Sequence, residues 1–217
     1  MDPSTFFADL SGLEHHLGLP EGFLEGLIEE DDWSFIIKSH AVTEAALTTL
    51  ISSSTDSRLK SFFARLPFDG RFSKVEVARA LGGLDRATIE FASRLGRIRN
   101  LLVHDIKHLS FDLHSFFKEM SAQDRQSMSK LIAQTVTGSD EDGLVSLAEE
   151  ALIGQPKLTL AVAISALHAH ALFGIDPNEQ QRALDRAKQA APGFILIAIL
   201  ILVAALGSKG PGTPVAA

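Results

Sequence analysis

Cysteine is absent from all 217 residues, which excludes disulfides and thiolate metal sites and suits a reducing cytosol. Absent too is the alternation of polar and β-branched apolar positions that marks strands, so no sheet is expected. The chain has no glycine-rich phosphate loop, no Gly-x-Ser-x-Gly elbow and no His-Glu-x-x-His, which leaves P-loop, serine-hydrolase and zinc-protease chemistry without their machinery. Histidines do occur, but His15, His16, His114, His168 and His170 lack acidic partners at metal-ligand spacing. No metal and no cofactor is assigned. The first ten residues are acidic and short of hydrophobic length, so a cleaved secretory leader is not expected.

Positive charge is scarce at the start and concentrated afterwards. Residues 1–57 carry eleven acids and one base, whereas residues 58–107 carry eleven bases and five acids, within a chain of net charge −7. A local positive field in the second segment can attract a polyanion although the protein as a whole is acidic. The alternative is that the acidic segment packs against the basic one and neutralises it. With 46% apolar residues the chain can bury a full core in one domain, with or without a tail.

The periodicity is helical throughout, and the fold class is all-α. Short helices are expected in residues 1–30, closed by the acidic run Glu29, Glu30, Asp31 and Asp32, which suits a helix start. Trp33, Ile37, His40, Glu44, Leu47 and Ile51 then recur at alternating four and three, a seam facing partner helices. A short helix over 58–66 stops at Pro67, Ser73 and Glu76 have capping-box spacing, and Gly82-Gly83 ends the helix they open. Asp85 caps a long helix whose seam runs Leu84, Thr88, Phe91, Leu95, Ile98 and Leu102, with Glu90, Arg94, Arg97 and His104 on a polar stripe beside it. Gly96, within that helix, permits close approach of another backbone. Further helices are expected over 112–119, 121–136, 142–153 and 158–175, and from Asp176-Pro177 to Ala190.

The chemistry is concentrated at the end of the long helix, where Arg99-Asn100 is followed by three apolar residues and His104. About 0.4 arginine–histidine pairs at this spacing are expected by chance, so context carries the reading. RNA brings its own nucleophile, the 2′-hydroxyl. A cleaving site therefore needs a proton-transfer group near neutral pH and a fixed cation for the developing negative charge, which are the properties of histidine and arginine. Arg99 would hold the phosphate, His104 would move the proton and Asn100 would orient phosphate or imidazole.

A long amphipathic helix closing on Arg99-Asn100, a short apolar step and His104-Asp105, preceded by a helix with polar residues in its seam, resembles the HEPN superfamily of helical domains. The resemblance covers residues 31–118. It implies a helical bundle of four to five helices, a metal-independent endoribonuclease leaving 2′,3′-cyclic phosphate and 5′-hydroxyl ends, and a homodimer in which paired motifs meet. The run from Trp33 through His40 and Glu44 to Leu47 is similar to the first long helix of mannitol-repressor-like members, which are regulatory or binding proteins. The expected roles are toxin, defence or stress response, with RNA, a second copy of the chain and an antitoxin or regulatory protein as partners. The alternative is a catalytically inactive regulatory or protein-interaction module.

Geometry adds a constraint, because five residues along a regular helix separate Arg99 and His104 by about 140° and about 7.5 Å. Either the helix ends near Val103 and turns His104 back, or the site combines two subunits. Glu44 with His40 either orients Arg99, Arg97 or His104, or forms a buried ion pair that fixes helix register. Lys107 and His108 fit solvated surface. The organisation expected is short helices over 1–30, the HEPN-like bundle over 31–120, additional helices over 121–190, a hydrophobic helix over 191–208 and a disordered tail over 209–217. Residues 189–208 carry no formal charge, and twenty residues at 1.5 Å each span a bilayer core of about 30 Å. With Arg182, Arg186 and Lys188 before it, this segment is expected to anchor the chain as a single-pass protein at the cytoplasmic face of the membrane; the alternative is a C-terminal helix buried in the domain or a dimer. The uncharged stretch 158–175 contains Ser165, His168 and His170 and fits a buried helix better than a second span.

Overall fold

The computed structural model describes residues 14, 15, 17–104, 106–138 and 140–173. Among them are nine α-helices, two 3-10 turns and no strand. The helices are α1 (Phe23–Glu29), α2 (Asp32–Ser53), α3 (Lys60–Ala64), α4 (Lys74–Leu81), α5 (Arg86–His104), α6 (Leu113–Glu119), α7 (Ala122–Thr137), α8 (Asp142–Gly154) and α9 (Pro156–Phe173). Their starts are set locally, by short polar side chains that accept from free first-turn amides. Asp31 accepts from Ser34 N at 2.9 Å, Asp85 from Thr88 N at 3.0 Å, and Ser121 from Asp124 N at 3.1 Å. Ser73 caps α4 and Asp112 caps α6 in the same way. Gly82, at a φ of 68°, supplies the left-handed residue that ends α4.

α2 and α5 form the centre and run antiparallel. Trp33 Nε1 lies 3.5 Å from the carbonyl of Leu102 at one end, and at the other Leu50 fills the space that a Cβ on Gly83 would occupy. All six residues of the expected α5 seam are buried. α2 is different, because Phe35, Ile36, Val42, Thr43, Ala46 and Leu50 are buried as well as its expected seam residues His40, Leu47 and Ile51. It has partners on several sides: α4 and α5 on one, α9 on another. One hydrophobic cluster runs from Leu24 to Ala171, so the helices after residue 120 share the core of those before it.

Polar ties close the same assembly. Asp32 accepts from Leu113 N at 2.8 Å and pairs with Lys157 at 2.8 Å, joining the starts of α2, α6 and α9. Arg125 pairs with Glu149 at 2.9 Å, linking α7 to α8. His168 on α9 is fully buried, its Nε2 3.1 Å from Thr43 Oγ1. That hydroxyl donates to the Ser39 carbonyl, so it accepts from His168 and fixes the neutral tautomer with the proton on Nε2. No helix of the described residues is long and apolar enough to cross a membrane. The helix expected from Asp176, the expected anchor over 191–208 and the tail over 209–217 lie outside the described residues.

What approaches Gly96 is a side chain and not a backbone. A Cβ there would stand 2.9 Å from Cε1 and 3.0 Å from Cδ1 of Phe68, a buried ring that also contacts His40. Gly96→Ala is therefore expected to destabilise the protein by about 1–3 kcal/mol in urea unfolding, although alanine is the better helix former by about 1 kcal/mol. A stabilised variant would contradict the close contact.

Candidate functional site

The last two turns of α5, the middle of α2 and the first turn of α4 meet around Phe68. The chain enters α4 through a closed loop in which Lys74 N donates to Pro67 O at 2.9 Å and Val75 N to Phe68 O at 3.2 Å. That closure carries the Phe68 ring under Gly96 and leaves it 4.2 Å from the His40 ring, centroid to centroid. It also buries Lys74, only 3% exposed, with its ammonium 2.5 Å from Glu44 Oε1.

Glu44 therefore pairs with Lys74, where the sequence pointed to His40, Arg99, Arg97 or His104. Lysine in the first turn of a helix opposes the dipole, and that mismatch was the one signal in the sequence that Lys74 serves a tertiary partner. His40 is 6% exposed, and its imidazole is pushed down to about 4, by burial first and then by the neighbouring Arg99 guanidinium, with Lys74 adding to the effect and Glu44 opposing it. At neutral pH it is an uncharged ring packed on Phe68. The expected His40–Glu44 ion pair is replaced by an aromatic contact and a separate Glu44–Lys74 pair.

Arg99 is half-buried, and its Nη1 donates to Asn100 Oδ1 at 3.0 Å. Among the described residues no carboxylate pairs with it. Glu90 faces Arg97 at 3.7 Å and Arg94 at 3.8 Å, and Arg94 also donates to Ser127 Oγ at 3.1 Å. Asn100 and His104 are exposed. α5 continues unbroken through His104, so the histidine is not turned back by an early helix end. Arg99 and His104 consequently diverge by about 140°, whereas Asn100 and His104, four apart, share a face. One copy of the chain thus offers a guanidinium with its amide on one side and an imidazole on the other. Exposed Leu101 and Val103 lie between them in sequence, and Leu109 follows.

No family model, no curated protein and no solved structure matches this chain. The site is accordingly read from its own geometry. A depression of about 400 Å³ lined by Ile28, Asp32, His114 and Lys157 shares no residue with the α5 motif. Among the described residues no three histidine or acidic side chains are grouped to hold a metal ion.

His40 and His168 give the fold a specific pH response. Burial pushes His168 down to about 3, so both histidines bind their proton more weakly in the folded protein than at the ordinary value of 6.5. The unfolded chain takes up protons below about pH 6.5 and the folded one does not. Stability is therefore full above that pH and falls as pH drops toward 4, by about 1.4 kcal/mol per pH unit for each histidine. Urea unfolding at pH 7.5, 5.5 and 4.5 should show this loss. His40→Gln should reduce the slope by the share of one histidine, and an unchanged slope would place His40 in water.

Proposed function

We propose that the protein is a metal-independent endoribonuclease of HEPN type that acts as a homodimer. The observation that carries the reading is Arg99, hydrogen-bonded to Asn100 and unopposed by a carboxylate among the described residues, on the same helix end as an exposed His104. A cation without a counter-ion is ready for phosphate. The unbroken α5 argues for two copies, since an arginine and a histidine that diverge on one helix can converge only with those of a second. The exposed side chains of Leu101, Val103 and Leu109 supply apolar area for that contact.

In this reaction the 2′-hydroxyl of the bound ribose attacks the adjacent phosphorus and the 5′-oxygen leaves. Arg99 of one copy stabilises the charge on the phosphoryl oxygens, and His104 of the other transfers the proton. Asn100 positions phosphate or imidazole. Neutral His40 adds no second positive charge near Arg99. Arg97 and Glu44, each engaged elsewhere, do not touch the substrate. A toxin, defence or stress role fits this activity, with an antitoxin or regulatory protein covering the motif. The segment 191–208 would hold the dimer at the cytoplasmic membrane face.

A second reading is favoured by the same divergence of Arg99 and His104. In a non-catalytic interaction module the motif would stabilise the end of α5 and its basic surface would dock a partner. The two separate on one assay, in which the purified full-length chain is incubated with structured RNA in excess EDTA and the product ends are identified. The nuclease should release 2′,3′-cyclic phosphate ends, and Arg99→Ala and His104→Ala should each lower the rate by about 10²- to 10⁴-fold. Mixing the two inactive variants should restore part of the activity if the site is shared between copies. Absence of cleavage, or cleavage unchanged in both variants, would establish the module.

A further inference from the structure

Residues 57–82 pack on the outside of α2 and carry four exposed large apolar side chains. The 3-10 turn Ser57–Leu59 and α3 bury none of their residues, although α3 holds Phe62 and Phe63. Phe62 is 60% exposed and Phe72, at the tip of the loop between Pro67 and Lys74, is 75% exposed. Leu59 and Leu81 are exposed as well. Because Lys74 N returns to Pro67 O, the start of α4 lies against the end of the α3 segment, and both pack on α2. The four apolar side chains therefore belong to one outward layer, and none of them contributes to the core.

The cations of the same layer fall into two groups. Arg58 pairs with Asp56, Arg79 with Glu76 and Lys74 with Glu44. Lys60, Arg65 and Arg71 are exposed and have no carboxylate partner among the described residues; Arg71 lies over the Phe72 ring at 5.6 Å. Among the described residues, the acidic first segment thus pairs with only part of the basic one.

We propose that this layer is a peripheral membrane-binding surface for anionic lipid, with Phe62 and Phe72 entering the headgroup–acyl boundary and Lys60, Arg65 and Arg71 meeting lipid phosphates. Exposed aromatic and aliphatic side chains interleaved with unpaired cations are what an interface of apolar chains under negative headgroups selects. Single-stranded nucleic acid is the other polyanion that takes aromatics and cations. It stacks bases on open ring faces and has no use for Leu59 and Leu81, and one face of Phe72 is already covered by Arg71. The surface is built from residues other than Arg99, Asn100 and His104, so it stands whether or not the α5 motif cleaves RNA.

The test uses the full-length Phe72→Trp protein, with the natural chain, whose one tryptophan is Trp33, as baseline. Vesicles of phosphatidylcholine alone are compared with vesicles containing 30% phosphatidylserine, with and without brominated acyl chains. A blue shift and bromine quenching of the introduced indole are expected with the anionic vesicles only, weakening as salt rises. Replacing Lys60, Arg65 and Arg71 by Glu should weaken the binding by at least about fivefold per charge, and Phe62→Ser by roughly tenfold. Because the readout is local, vesicle binding through another part of the chain would leave the indole unquenched, and that result overturns the proposal. So does a response to a single-stranded RNA oligonucleotide with none to anionic vesicles, which would make the layer a nucleic-acid platform.

Discussion

The close approach of α2 to α5, made where Gly96 leaves room for the rings of Phe68 and His40, is the contact on which the other arrangements depend. A side chain at residue 96 would push Phe68 outward, and with it the closed loop that delivers Lys74 to Glu44. The same contact puts the Arg99 guanidinium near a buried imidazole, which burial already holds uncharged. Packing and electrostatics are therefore coupled. An uncharged ring can pack on an aromatic in the interior, whereas a protonated one would set a buried positive charge near the half-buried Arg99 guanidinium.

α2 takes this constraint further because it is buried on more than one side. Its polar residues are placed to suit each neighbour: Glu44 reaches Lys74 of α4, and Thr43 accepts from His168 of α9. α9 is thus part of the domain, and the absence of formal charge after Lys157 reflects a helix held among α2, α7 and α8. Its histidine is satisfied on one nitrogen only, since His168 Nδ1 has no partner among the described residues. An unprotonated nitrogen without a donor is a smaller cost than a buried imidazolium.

Function follows from the straightness of α5. Regular helix through His104 separates the imidazole from Arg99, so the chemical groups of the motif sit at one end of one helix without forming a site in a single copy. The proposed dimer resolves that separation, and the apolar residues Leu101, Val103 and Leu109 lie where such a contact would form. The layer carrying Phe62 and Phe72 uses a different part of the surface, so catalysis and membrane contact would not compete for the same residues.

Helix starts and stops were legible in the sequence because they are local: a capping Asp or Ser accepts from an amide two or three residues on, as Asp31, Ser73, Asp85 and Ser121 do. The seam of α5 was legible for the same reason, since Leu84, Thr88, Phe91, Leu95, Ile98 and Leu102 follow one period, although Ala87, Ile89, Ala92 and Ser93 beside it are buried too. The surroundings of α2 were not, because a helix with partners on several sides loses a single apolar stripe, and His40 and Glu44 in one seam suggest each other as partners. Only the tertiary structure decided that Glu44 takes Lys74, that His40 packs on Phe68 and that Arg99 has no carboxylate partner among the described residues. These choices rest on which residues of distant segments arrive within a few ångströms, and periodicity along one helix carries no information about that. The sequence by itself determined the all-α class, the capped helix starts and the chemical identity of the motif; the packing of α2 against α4, α5 and α9 determined which of those groups are engaged and which face solvent.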